Sequence, residues 1–91
     1  MSTTEIYMRL AHIVEMANQP GDLTTVKLSS GREARIETRG QVEANDIVWD
    51  VQIPHHRGYK HTGRICRSPG EVKMFFAMQD KLTGERIREI Q

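Results

Sequence analysis

The sequence predicts an α+β fold, a two-layer sandwich in which two helices cover one face of an antiparallel sheet of three to five strands. Two observations support this prediction. Capping-box patterns mark helix starts near both ends of the chain, and apolar and polar residues alternate between them at a period of two. A chain of 91 residues has room for one modest core, so residues 1–91 are expected to form a single domain.

The first helix is predicted over residues 3–17. Ser2 and Glu5 stand at the spacing of a capping box, in which each side chain bonds the backbone near the other. The residues at 18–22, with a Pro-Gly pair, then break the helix. Its apolar residues recur at helical spacing and are Ile6, Leu10, Ile13, Val14 and Ala17.

Strands are predicted next, over residues 23–28, 34–39 and 47–53, from their alternating pattern. The first two form a hairpin across the turn residues Ser29, Ser30 and Gly31. Trp49 falls on the apolar side of the third strand and is expected to be buried. Pro54 ends that strand because proline cannot donate to a sheet ladder, and a weaker fourth strand is predicted over residues 59–66.

The second helix has signals at both ends. Ser68, Pro69 and Glu71 combine a capping box with proline at the first helical position, and Gly84 fits a C-terminal cap. Residues 85–91 are predicted to form a short strand, with a frayed helical turn as the alternative. The inward-facing stripe of the helix is expected to consist of Val72, Phe75, Phe76, Met78 and Leu82.

The composition limits the classes of function. Thirteen Lys and Arg against 12 Asp and Glu give a net charge of +1, which is unlike a polycation that coats nucleic acid. A single cysteine, Cys66, excludes an intramolecular disulfide and predicts a cytoplasmic protein. The longest apolar run covers only residues 74–78, so neither a signal peptide nor a membrane span is expected.

No residue pattern indicates catalysis, a metal or a cofactor. Cys66 near histidines suggests a nucleophile and base, but a lone cysteine at a strand end is more typical of a small buried hydrophobe. His55, His56, His61 and Cys66 match none of the usual zinc spacings. Without a Gly-rich phosphate loop or GxSxG, we predict no catalytic residue, no metal, no cofactor and no small-molecule substrate.

One stretch has a strongly uneven charge. Residues 51–70, which we call the acid-free segment, contain no Asp or Glu but several cations and histidines. Arginine and lysine bind phosphates, and arginine also binds carboxylates through two parallel hydrogen bonds. The open sheet face adds further cations, including Arg39, diluted by Glu37 and Asp50. The predicted residues for binding a partner or nucleic acid are His55, His56, Arg57, Tyr59, Lys60, Arg64, Arg67, Lys27 and Arg35.

The order helix, sheet, helix is similar in topology to the double-stranded RNA-binding domain, whose basic second-helix start meets phosphates. The residues differ here. The corresponding helix start, residues 68–73, carries Glu71 in place of that family's lysine-rich motif. The likeness therefore implies the topology alone.

As a whole chain, the sequence resembles the small phage-encoded anti-CRISPR proteins, in particular those that act on type I-F surveillance complexes. These are single compact domains without catalytic motifs. The group has no shared signature motif, so no functional residue is carried over. The resemblance implies docking on a guide-RNA-bearing Cas complex in the host cytoplasm and blocking of target DNA.

Four hypotheses follow in decreasing order of support. The first is a non-catalytic inhibitor or adaptor that binds a protein or ribonucleoprotein complex, with Arg57, Lys60, Arg64 and Arg67 as electrostatic anchors. The second is a stand-alone RNA- or DNA-binding module. The third is a structural or homodimeric protein that uses the sheet edge or the pair at residues 75–76. The fourth is a metal or thiol enzyme.

Overall fold

The computed structural model describes residues 3–41, 46–54 and 61–91. Within these residues the strands form one antiparallel sheet in the order β4-β3-β2-β1-β5, with two helices. The predicted α+β class is confirmed. The elements are α1 (Thr3–Met16), β1 (Leu23–Leu28), β2 (Glu33–Gln41), β3 (Asp46–Pro54), β4 (His61–Cys66), α2 (Pro69–Thr83) and β5 (Ile87–Ile90).

The chain's tail forms a strand, as predicted. β5 pairs antiparallel with β1, in a register that sets Val26 opposite Ile90. Helix α1 begins at Thr3 and ends one residue earlier than predicted. Ser2 of the first capping box and positions 59–60 of the predicted fourth strand lie outside the described residues.

The core lies between the inner face of the sheet and the two helices. Alternate side chains of β1, β2 and β3 are buried there, and Trp49 is buried as predicted, with 7% of its surface exposed. Phe76 of α2 enters this core and meets the ring of Phe75 edge to face, with the centroids 5.6 Å apart. Further core residues from the helices are Tyr7, Leu10, Val14 and Val72.

Both predicted ends of α2 are confirmed. The Ser68 hydroxyl accepts a hydrogen bond from the Glu71 backbone N–H, and the Glu71 carboxylate accepts one from the N–H of Arg67. Gly84 ends the helix in the left-handed region, with φ at 76°, and donates its N–H to the carbonyl of Asp80. Only glycine adopts this conformation without steric cost, which explains its place here.

The end of α1 is joined to the sheet by one carbonyl. The Ala17 oxygen accepts hydrogen bonds from Thr38 Oγ1 at 2.8 Å and from Trp49 Nε1 at 3.1 Å. Thr38 and Trp49 are directly opposite each other in the β2–β3 ladder. The indole N–H is therefore satisfied although the ring is buried.

The predicted inward stripe of α2 is partly wrong. Val72 and Phe76 are buried, but Met78 and Leu82 are 52% and 74% exposed. A helix turns about 100° per residue, so Met78 lies about 200° around the axis from Phe76 and cannot share its face. The flank of Val72 and Phe76 continues instead to the partly buried Asp80, which accepts a hydrogen bond from the Tyr7 hydroxyl of α1.

A candidate docking surface beside helix α2

A groove of about 450 Å³ runs between helix α2 and strand β4. Its wall on the helix side is mostly apolar, and its one lining residue from the sheet is Arg64. Concave surfaces with apolar walls and a few polar groups are typical binding sites. The residues of α2 that line it are Glu71, Met74, Phe75, Met78, Gln79 and Leu82.

Three large apolar side chains of this groove are open to solvent. Met74, Met78 and Leu82 are 64%, 52% and 74% exposed, and we call them the exposed stripe. Their spacing of four residues aligns them along one flank of α2. One flank of α2 is already packed in the core, and the other is apolar and exposed. An exposed apolar flank of this kind is typical of an interaction surface.

Arg64 belongs to the groove because of the strand register. It lies opposite Val51, which is buried on the inner face, so Arg64 points to the helix side of the sheet. Its side chain is exposed and has no carboxylate within 4 Å among the described residues. The groove therefore contains a guanidinium that no described carboxylate pairs with, next to an apolar helix flank.

Cys66 lies next to the groove but is fully buried. Burial raises the pKa of its thiol, the nearby Glu71 carboxylate raises it further, and Arg64 opposes the shift. A buried thiol with a raised pKa is a poor nucleophile at neutral pH. Of the residues that the structure describes, no three His, Cys, Asp or Glu side chains are grouped to hold a metal ion.

The open sheet face carries Lys27 and Arg35, on the opposite side of the sheet from Arg64. Arg39, also on this face, has its Nε 3.2 Å from Glu37 and its terminal nitrogen 2.8 Å from Asp50. Lys27 stands opposite Glu33 on one neighbouring strand and opposite Glu89 on the other. The positive charges of this face are thus offset by neighbouring carboxylates.

Arg67 follows β4 and lines a recess of about 240 Å³ with Asp46, Ile47 and Val48. Like Arg64, it makes no ion pair within the described ranges.

The sheet separates Arg64, on its helix side, from Lys27 and Arg35 on its open face. These three side chains cannot meet one flat surface together. The predicted site residues His55, His56, Arg57, Tyr59 and Lys60 lie outside the described residues.

Sequence reasoning missed the exposed stripe. The inward stripe that the sequence predicts for α2 places Met78 and Leu82 in the core and gives Met74 no role. A signal was present, because apolar residues at 72 and 76 and at 74, 78 and 82 occupy opposite flanks of one helix. A single sheet face covers only one of those flanks.

Comparison of the chain with protein-family models, with curated proteins and with solved structures finds no match. In the described parts of the chain, neither helix combines the length and apolarity that crossing a membrane requires.

Proposed function

We propose that this protein is a non-catalytic binding protein that inhibits a nucleic-acid-handling complex by docking on it. The whole-chain resemblance to anti-CRISPR proteins supports the choice of that complex, a guide-RNA-bearing Cas surveillance complex whose binding of target DNA would be blocked. The acid-free segment provides the electrostatic anchors of the contact, through Arg57, Lys60 and Arg67 together with Arg64.

The observation that carries this proposal is a contrast in ion pairing. Arg32 and Arg39 have carboxylate partners within the fold, whereas Arg64 and Arg67 have none in the portion described by the structure. Arg9 and Arg88 also have no ion pair among the described residues, but Arg64 and Arg67 differ from them in belonging to a stretch of twenty residues without an acidic side chain, residues 51–70. Cations that the fold itself does not neutralise are available to phosphates or carboxylates of a partner.

On the open face of the sheet, positive and negative charges offset each other. This argues against a stand-alone RNA- or DNA-binding module. Non-specific nucleic-acid affinity comes from several phosphate contacts and needs a continuous basic surface. Lys27 and Arg35 stand among Glu33, Glu37 and Glu89, which repel phosphates. Free nucleic acid is therefore a comparison ligand in the test below.

The proposal is tested with a purified type I-F surveillance complex carrying its guide RNA. Binding of labelled target DNA is measured by gel shift while the protein is titrated in, and we expect DNA binding to be lost at stoichiometric amounts. Charge reversal by Arg57→Glu with Lys60→Glu should raise the half-inhibitory concentration at least about tenfold, since each charged contact is worth roughly 1 to 3 kcal/mol.

The matched control reverses the same charge elsewhere, by Arg9→Glu with Arg88→Glu. Both side chains are exposed, have no ion pair with another described residue, and lie on α1 and β5, away from β4. Inhibition by this control should stay within about twofold of wild type. Equal losses in the two double variants would exclude the acid-free segment as the contact.

Two other outcomes decide the identity of the partner. If the wild-type protein leaves DNA binding by the surveillance complex unchanged, the assignment to that complex is wrong. If it instead binds free RNA or DNA tightly with a steep dependence on salt, the stand-alone module is the correct class.

A further inference from the structure

The exposed stripe of α2 runs between two cations. Arg64 of β4 lines the groove on the side of the sheet. Lys81 follows Met78 by three residues, and at about 100° per residue it lies on the far side of Met78 from Phe75 and from the groove wall of the sheet. Lys81 is exposed and, like Arg64, makes no ion pair with a described residue. The apolar flank is thus bordered by positive charge along both sides.

The groove also contains an acidic residue, Glu71, whose charge is partly offset within the fold. Its carboxylate accepts a hydrogen bond from the backbone N–H of Arg67 at 2.8 Å, as one half of the capping box. It also lies in the first turn of α2, at the positive end of the helix dipole. Along the rest of the stripe, the charges that face a partner are those of Arg64 and Lys81.

The apolar wall of the groove favours a protein over a nucleic acid. Affinity for nucleic acid comes from phosphate contacts and from bases that stack on exposed aromatic rings. The ring of Phe75 in the groove wall is half-buried and packs edge to face against Phe76. Most of the exposed apolar surface comes instead from the stripe, whose two methionines are flexible and adapt to the apolar side chains of a partner.

The stripe has the length of a contact between two helices. Met74 and Leu82 are eight residues apart, which is about 12 Å along the axis of α2. Apolar side chains at positions i, i+4 and i+7 of a docked amphipathic helix span about 10 Å. Residues spaced by four form the ridges through which helices pack most often. The charged residues of such a helix lie on both sides of its apolar face, as Arg64 and Lys81 lie on both sides of the stripe.

We propose that the groove receives an acidic amphipathic helix of a partner protein. The apolar face of that helix packs on the exposed stripe, and its flanking carboxylates pair with Arg64 and Lys81. A guanidinium binds a carboxylate through two parallel hydrogen bonds, which makes Arg64 the stronger of the two contacts. The inference rests on the proposed function, because it assigns the anchor Arg64 to a protein subunit of the surveillance complex and not to its guide RNA.

The first test selects helical peptides from a display library on the immobilised full-length protein. The peptides are about 18 residues long, or five turns, with leucine fixed along one face and Glu, Lys, Gln and Ala randomised elsewhere. We expect the enriched peptides to carry glutamate on both sides of the leucine face. Enrichment of lysine there, or no enrichment of any helix, would overturn the proposal.

Variants of the groove show where the enriched peptide binds. Met78→Glu and, separately, Leu82→Glu should weaken its affinity at least about tenfold, because each places a carboxylate in the apolar contact and beside those of the peptide. A selection repeated on Arg64→Glu with Lys81→Glu should enrich lysine in place of glutamate. Unchanged affinity in both stripe variants would place the peptide elsewhere and contradict the proposal.

Met16→Glu is the matched control. Met16 is a methionine of α1 with 69% of its surface exposed, and it lies nine residues from Tyr7, half a turn away from the flank that meets α2. Its affinity for the enriched peptide should stay within about twofold of wild type. All variants should show the wild-type circular dichroism spectrum.

The second test uses the surveillance complex and separates this inference from the proposed function. In the gel-shift assay above, Met78→Glu should raise the half-inhibitory concentration at least about tenfold, and Met16→Glu should not. If wild type inhibits and the two stripe variants inhibit equally well, the groove is not a contact with the complex and the inference is wrong. If wild type does not inhibit, the proposed function is wrong, and the peptide selection alone decides whether the groove binds acidic helices.

Discussion

The two ends of the sheet differ in whether charged side chains are paired and apolar side chains are covered. At the β5 end, the buried Glu85 carboxylate accepts hydrogen bonds from Arg32 and from the Ser30 hydroxyl, with Arg32 Nε at 3.0 Å. At the β4 end, Arg64 has no ion pair in the described chain, and the exposed stripe lies open. The first end pairs its charged groups within the fold, whereas the described residues of the second end leave Arg64 without a carboxylate and the stripe exposed.

The same contrast exists within α2 alone. Its inner flank buries Val72 and Phe76 and stabilises the fold, while its outer flank, with Met74 and Met78, contributes little to the core. The buried contacts that stabilise the fold therefore lie on one flank of the helix. Substitutions that reach only one flank measure what each flank contributes to stability.

The largest effect is expected for Phe76→Ala. This ring is fully buried, so its removal should lower the free energy of unfolding by about 3–5 kcal/mol through lost burial and a cavity. Met78→Ala, two residues along, should change it by less than about 0.5 kcal/mol in dilute solution. Urea denaturation measures both, and similar losses in the two variants would show that the outer flank also belongs to the core.

A smaller effect is expected at the β5 end, for Arg32→Met. The Glu85 carboxylate, only 7% exposed, would lose its cation, which should cost about 1–3 kcal/mol. Arg67→Met serves as the comparison and should stay within about 0.5 kcal/mol, because Arg67 has no ion pair in the described chain. If thermal unfolding shows no difference between the two variants, the charged groups at the two ends of the sheet contribute equally to stability.

The smallest effect concerns alkaline pH. Because burial raises the pKa of the Cys66 thiol, the folded state holds its proton where the unfolded chain releases it. This contribution to stability is fully present below roughly pH 8.5, the ordinary pKa of a thiol, and is lost as pH rises through the folded-state value. Wild type should therefore lose stability from about pH 8.5 to 10 more steeply than Cys66→Ala.

Urea titrations at each pH give the two slopes for this comparison. Cys66→Ala is expected to be less stable at neutral pH, because it leaves a small cavity, so only the slopes are compared. Parallel slopes would mean that Cys66 ionises as readily in the folded protein as in the unfolded chain. Tyr7, whose pKa burial and then Asp80 also raise, contributes only at higher pH.

Local chemistry explains which parts of the fold were predictable from the sequence. The ends of α2 follow from Ser68, Pro69 and Gly84, whose effects act within a few residues. Trp49 and its strand follow from strict alternation in a half-buried sheet. These features need no knowledge of distant partners.

The candidate site was less predictable because it depends on long-range placement. The side of the sheet that Arg64 occupies is set by its pairing with Val51, which strand patterns alone do not fix. The exposure of Met78 depends on how α2 is rotated over the sheet, which Phe76 determines. The binding role of Arg57 and Lys60 remains a prediction from the sequence.

The shared carbonyl of Ala17 has a consequence for the specificity of folding. Its two donors, Thr38 and Trp49, come from a single cross-strand pair, so both reach it only when β2 and β3 are aligned in the native register. Sliding one strand by a single residue would turn its donor to the outer face and leave the helix end unanchored. Docking of the end of α1 therefore favours the native register of β2 and β3 over a register shifted by one residue.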